Sequence, residues 1–172
     1  MKIEKTMFNS TKNKKDLLLY LKKAILTIFN YHKHNKTILF IGNFSNRNKL
    51  FINKKLLKNH IFLLSSNWIY GILTNKNSFI KSLQKKNDKR LKDYNLQKYI
   101  IKKKKPDLIV ILDIKNNQDI LKESLKLKIP TISLVDNNCN DFILYPIKID
   151  KTIKIKNYNF IFYLLNSILK KK

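Results

Sequence analysis

The residues best placed to do chemistry are two aspartates, Asp113 and Asp136, each closing a short apolar run: DLIVILD over 107–113 and TISLVD over 131–136. Such runs read as buried strands, and an acid at a strand's carboxyl end stands where open α/β sheets bind their ligands. As a pair they could hold a metal ion or serve as acid and base, which would make the chain a metal-dependent hydrolase or phosphatase. A plainer account is that a strand-end Asp hydrogen-bonds the turn that follows it. We favour that account, because no third ligand, nucleophile or basic partner accompanies the two acids. His32, His34 and His60 fall elsewhere in the pattern and read as structural or solvated. Cys139, the single cysteine, has no Cys or His at ligand spacing, so no zinc site is expected.

IGNFSNR (41–47) sits at a strand-to-helix turn, where a phosphate loop belongs. It has neither of the glycine-rich patterns that cradle phosphates, and one Gly cannot supply their backbone amides. No cofactor and no small-molecule substrate are expected.

Basic and aromatic residues offer a different chemistry. Arg47, Lys49, Lys54, Lys55 and Lys58 follow the first apolar run, and NWIYGILTNK (67–76) interleaves Trp68 and Tyr70 with Thr74, Asn75 and Lys76. Aromatics beside amide and basic groups suit stacking and phosphate contact in folded RNA. For Trp68 the roles of core anchor and stacking platform are both open. A further run, Lys102, Lys103, Lys104 and Lys105, precedes Pro106.

Composition agrees with a polyanionic partner. The 172 residues carry 37 Lys and Arg against 11 Asp and Glu, a net charge of +26. A compact object with that excess repels itself unless a polyanion supplies counter-charge. Residues 1–105 hold net +22 and residues 106–172 only +4, so the basic face is expected from the first part of the chain. Arg occurs only at 47 and 90, and heavy use of Lys, Asn and Ile resembles an A+T-rich coding sequence, as in an organelle or a reduced symbiont. One cysteine allows no internal disulfide, consistent with a reducing compartment. The opening MKIEKTMFNSTKNKK lacks the apolar core of a signal peptide and the Arg-rich pattern of a transit peptide, so a protein working inside an organelle is expected to be made there. Lys22 and Lys23 interrupt the longest apolar stretch, 17–31, and argue against a membrane span.

These residues need elements to position them. Asp16 to Tyr31 spaces Leu18, Leu21, Ile25, Ile28 and Phe29 as one face of a helix. Strands are expected at 37–42, 60–65, 107–113 and 131–136, with an extended stretch at 142–147. Helices are expected at 46–59, after Asn116 or Asn117, and at about 157–169. Ile120, Leu121, Ser124, Leu125 and Leu127 form the inner face of the middle one. The stretch 76–105 reads as a short basic helical insertion. Alternating helices and continuous apolar strands predict a single α/β domain over 1–172, an open, mostly parallel sheet with flanking helices.

The order TILFIGN, NWIYGILTN, PDLIVILD, KIPTISLVDNNCN and LYPI resembles the ribosomal small-subunit protein two family. Its corresponding stretches are a strand ending in Val-Gly, the signature Trp-Leu-Gly-Gly-x-Leu-Thr-Asn, Pro-Asp before a strand ending in Asp, Gly-Ile-Pro before a strand ending in Val-Asp-Thr-Asn, and Tyr-x-Ile-Pro. Of the Gly-Gly pair, the second survives as Gly71 and the first is Tyr70. Phe44 and Ser45 replace a Lys pair, and 76–105 is too short for the long helical hairpin of bacterial members. The family's Gly-Asn-Asp turn is reduced to Lys148-Ile149-Asp150.

The resemblance implies a Rossmann-like, flavodoxin-like fold without a nucleotide. It also implies a structural protein with no reaction of its own, on the solvent side of the small subunit near the head–body junction. Its partners would be ribosomal RNA and neighbouring ribosomal proteins, with no membrane. Asp136 would then organise a turn through Asn137 and Asn138, close to RNA. Reduction of this kind fits an organellar ribosome, mitochondrial ahead of plastid or symbiont.

Overall fold

A helix that must hand its chain to a buried strand needs a sharp stop, and Asn35 provides it. The computed structural model describes residues 2–42, 59–75, 81, 105–112, 118–135, 143–148 and 167, with the first helix's side chains described from residue 16. Helix α1 (Lys2–Lys33) begins well before the expected Asp16. It ends where Asn35 takes a left-handed φ of 54°. There the Asn35 N–H bonds to the His32 carbonyl at 3.0 Å and the Lys36 N–H to that of Tyr31 at 3.0 Å. This double closure satisfies carbonyls the helix leaves open, and Asn tolerates the backbone better than most residues.

Five strands follow: β1 (Ile38–Gly42), β2 (Ile61–Leu64), β3 (Leu108–Ile111), β4 (Thr131–Val135) and β5 (Tyr145–Lys148). They form one sheet in the order β2-β1-β3-β4-β5, every neighbour parallel. The expected extended stretch at 142–147 is thus a paired edge strand, where Pro146 is tolerated because an edge has one unpaired side.

Alternation along the strands separates two cores. On one face Ile38, Phe40, Phe62, Leu108, Val110, Ile132, Leu134 and Ile147 pack with Leu21, Ala24 and Ile28 of α1. On the other, Leu39, Ile41, Ile61, Leu63, Ile109, Ile111 and Val135 pack with Ile120 and Leu121 of α2 (Gln118–Lys126) and with Ile72 and Leu73. Phe40 and Phe62 stack with ring centroids 4.7 Å apart.

Each helix keeps most of its expected inner face: Leu21 and Ile28 of α1 and Ile120, Leu121 and Ser124 of α2 are buried, and Ile25 and Leu127 pack against the cores. One residue in each departs from it. Leu18, expected inward, is 62 % exposed, while Ala24 is buried and Leu17 packs against the core. In α2, Leu125 is 51 % exposed and Glu123 is buried beside Ile120, Leu121 and Ser124. Leu125 therefore does not belong to the inner face, which turns toward Glu123. The reason for that exchange lies in the neighbouring turn. The helices expected at 46–59 and 157–169 and the insertion 76–105 lie outside the described residues, apart from Asn59, Lys81, Lys105 and Ser167.

Candidate nucleic-acid interface

Strand β2 leaves the sheet through a 3₁₀ turn, Ser65–Asn67, closed by the Trp68 N–H on the Ser65 carbonyl at 3.1 Å. The chain then makes a tight turn that buries one side and shows the other. Ile72 and Leu73 are buried in the second core, and Trp68 and Ile69 pack against it. Tyr70 is 55 % exposed, Asn75 is exposed and Thr74 is half-buried. Gly71 stands at the bend with φ +90°, and a Cβ there would meet only the Asn75 Cβ at 4.0 Å. The need for glycine is therefore conformational and not spatial. The bend is tied by the Ile72 N–H on the Ile69 carbonyl at 3.1 Å and the Asn75 N–H on the Gly71 carbonyl at 2.7 Å.

Two amides of the bend point away from such ties and meet Glu123. Its Oε1 accepts the Gly71 N–H at 2.8 Å and its Oε2 the Leu73 N–H at 3.0 Å. Glu123 is only 1 % exposed. One buried carboxylate thus satisfies two backbone donors that the turn cannot satisfy itself, which removes a desolvation penalty of about 1–3 kcal/mol for each. Sequence reasoning did not single out Glu123. The available signal was its place three residues after Ile120, on the side of α2 that carries the apolar stripe. Among the described residues, Trp68 Nε1 and Ser65 Oγ are buried without a hydrogen-bond partner.

The amino-terminal edge of the sheet is braced in the same style. Asp107 donates its N–H to the Thr37 carbonyl at 2.8 Å and accepts the Thr37 N–H on Oδ2 at 2.8 Å. His60, fully buried, accepts the Ile38 N–H on Nδ1 at 3.3 Å, and its Nε2 lies 2.8 Å from His32 Nδ1. Since Nδ1 accepts, the proton of neutral His60 sits on Nε2 and is donated to His32. His32 and His60, read from the sequence as structural or solvated, thus join α1, β1 and β2. Beside them the Tyr31 hydroxyl is held above the ordinary tyrosine range, by burial first and then by Tyr145 and Asp107. Lys36 Nζ lies 5.1 Å from the Tyr31 ring centre.

At the opposite edge, β1 and β3 separate the two winding directions of the sheet, the point where such folds hold ligands. A Cβ on Gly42 would lie 3.1 Å from the Leu112 Cβ, and the Leu112 N–H bonds the Ile41 carbonyl at 2.7 Å. The two strand ends are therefore packed closely together.

Of the residues expected at an RNA interface, Tyr70, Thr74 and Asn75 share the Gly71 bend, and Trp68 anchors it to the core. Lys105 is exposed but precedes β3, at the sheet edge opposite the one where β2 ends, so topology does not group it with the bend. Arg47, Lys49, Lys76, Lys102, Lys103, Lys104, Asn137 and Asn138 lie outside the described residues, as do Asp113 and Asp136. Among the described residues no three His, Cys, Asp or Glu gather where they could hold a metal ion, and no helix is long and apolar enough to cross a membrane.

The strand order and the braced bend define an open, parallel α/β domain that displays a polar turn held from beneath by a helix. Residues 13–168 match the family model of ribosomal protein S2, and the chain belongs to that family. It is 33 % identical over 144 residues to the small ribosomal subunit protein uS2c of Mesostigma viride, covering 70 % of this chain and 63 % of that one. With uS2c of Galdieria sulphuraria the identity is 32 % over 137 residues, 67 % of this chain and 58 % of that one. With uS2 of Ureaplasma parvum it is 25 % over 166 residues, 83 % and 46 %. The chain therefore spans about half to two thirds of the length of these relatives.

Proposed function

We propose that the protein is a structural component of the small subunit of an organellar ribosome, binding ribosomal RNA and neighbouring ribosomal proteins and catalysing no reaction. The observation that carries this is the family match across 13–168, in which the signature segment forms the braced bend. The relatives point to the ribosome of an organelle or a bacterium. The A+T-biased usage supports an organelle, and within organelles we take the mitochondrial matrix ahead of the plastid. Tyr70, Thr74, Asn75 and Lys105 would meet RNA, together with Arg47, Lys49, Lys76, Lys102, Lys103, Lys104, Asn137 and Asn138. Trp68 would contribute through the bend it anchors.

A net charge of +26 supports phosphate contact as the main source of affinity. Each phosphate neutralised releases counterions, so the log of the binding constant should fall with the log of salt by about 0.7–0.9 per contact. Replacing Lys102–Lys105 with Gln should flatten that slope in a titration with small-subunit ribosomal RNA, and replacing Lys122, Lys126 and Lys128 should hardly alter it. Equal effects of the two sets would refute an RNA-facing first part of the chain. Preference for anionic vesicles over excess RNA would refute the ribosomal role.

A further inference from the structure

We propose that Glu123 is the positioning residue of the RNA interface: by holding the Gly71 and Leu73 amides, it sets the bend that displays Tyr70, Thr74 and Asn75. The inference rests on the RNA-binding reading above and adds to it a residue that never touches RNA. Three observations converge on it. First, an acid is costly to bury, and an apolar side chain of similar volume would suit a core of Ile and Leu as well. Second, its two oxygens take the amides on either side of Ile72, at 2.8 and 3.0 Å, across a backbone that Gly71 alone permits. Those amides are held from α2, which belongs to a unit 50 residues away in the chain. Third, the residue preceding the first held amide is Tyr70, the exposed aromatic of the bend. Any shift of the 70–71 peptide moves that ring, and a stacking contact depends on where the ring lies.

Glu123→Gln keeps the shape of the side chain but replaces one of the two accepting oxygens with a donor nitrogen, so one of the two amides loses its acceptor. The full-length chain should be titrated with small-subunit ribosomal RNA transcribed from the same genome, and its footprint read by hydroxyl-radical cleavage. Wild-type protein that does not bind would overturn the RNA reading itself, independently of Glu123. Given wild-type binding, a folded Glu123→Gln variant should bind about tenfold more weakly, a ratio in the range that loss of one base–aromatic stacking contact implies. Protection should be lost only at the nucleotides that Tyr70→Ala also uncovers. In the double variant the two losses should not add, because both act through one contact. Wild-type affinity in folded Glu123→Gln, or a uniformly weakened footprint with additive losses, would overturn the proposal. Should Glu123→Gln fail to fold, Glu123→Asp, too short to span both amides, is read by the same criteria. Failure of both to fold would assign Glu123 to the core alone and overturn the proposal too.

Discussion

Lys128 holds a backbone conformation that its side chain resists. Its φ is 54°, and it closes α2 as Asn35 closes α1: the Lys128 N–H bonds the Leu125 carbonyl at 3.0 Å and the Ile129 N–H that of Ser124 at 2.9 Å. Glycine is the usual residue here because it has no Cβ to crowd the left-handed region. The closure also turns Ile129 inward, where it is buried in the second core. Lys128→Gly should therefore stabilise the protein by about 0.5–1 kcal/mol and raise the melting temperature by roughly 1–4 °C. Lys128→Ala, which keeps the Cβ, should give no such gain. Equal melting of all three proteins would show that the closure carries no strain. The buried polar residues follow a common rule at this scale. Glu123, Asp107 and His60 each take a backbone N–H that the local chain leaves unpaired.

A helix's contribution depends on which of its faces meets the sheet. In α1, Leu18, Leu19 and Leu26 are exposed, while Leu21, Ala24 and Ile28 are buried. Apolar residues thus lie around much of the helix, and only the sheet selects among them. Leu18→Ser should change stability by no more than about 0.5 kcal/mol. Ile28→Ala should cost about 2–5 kcal/mol through lost burial and the cavity it leaves. Urea unfolding of the two variants tests the place of Leu18: a large loss from Leu18→Ser would return it to the inner face on which its spacing puts it. Lys33, in the last turn of α1, also suits the negative end of the helix dipole.

The whole molecule carries a charge that its fold does not neutralise. With +26 on 172 residues, self-repulsion opposes the compact state, and salt should relieve it. Thermal stability of the free protein should rise as ionic strength passes about 0.15 M, while its affinity for RNA falls over the same range. A melting temperature that falls with salt would mean that attractive charge pairs, and not repulsion, dominate the free protein. A partner of opposite charge would relieve the same repulsion.

Much of this was legible before any tertiary structure. Continuous apolar runs marked four of the five strands, because strands buried on both faces carry no alternation to mislead. Pro106 marked the start of the last β–α–β unit, and the order of short motifs carried the family. Side-chain pairing was not legible, since Gly71 and Glu123 are 52 residues apart, Thr37 and Asp107 70, and His32 and His60 28. No local period encodes such meetings. Leu125 looked inward because it is apolar, and nothing in the local pattern singled out Glu123. Packing exposes the one and buries the other, since two amides at the Gly71 bend needed an acceptor more than the core needed one more leucine. The strand order β2-β1-β3-β4-β5 was likewise decided only when each parallel strand found its neighbours. The family and the elements were thus written locally in the chain, while the exposure of Leu18 and Leu125 was decided by packing on the sheet and the brace beneath the candidate RNA-binding turn by long-range hydrogen bonding.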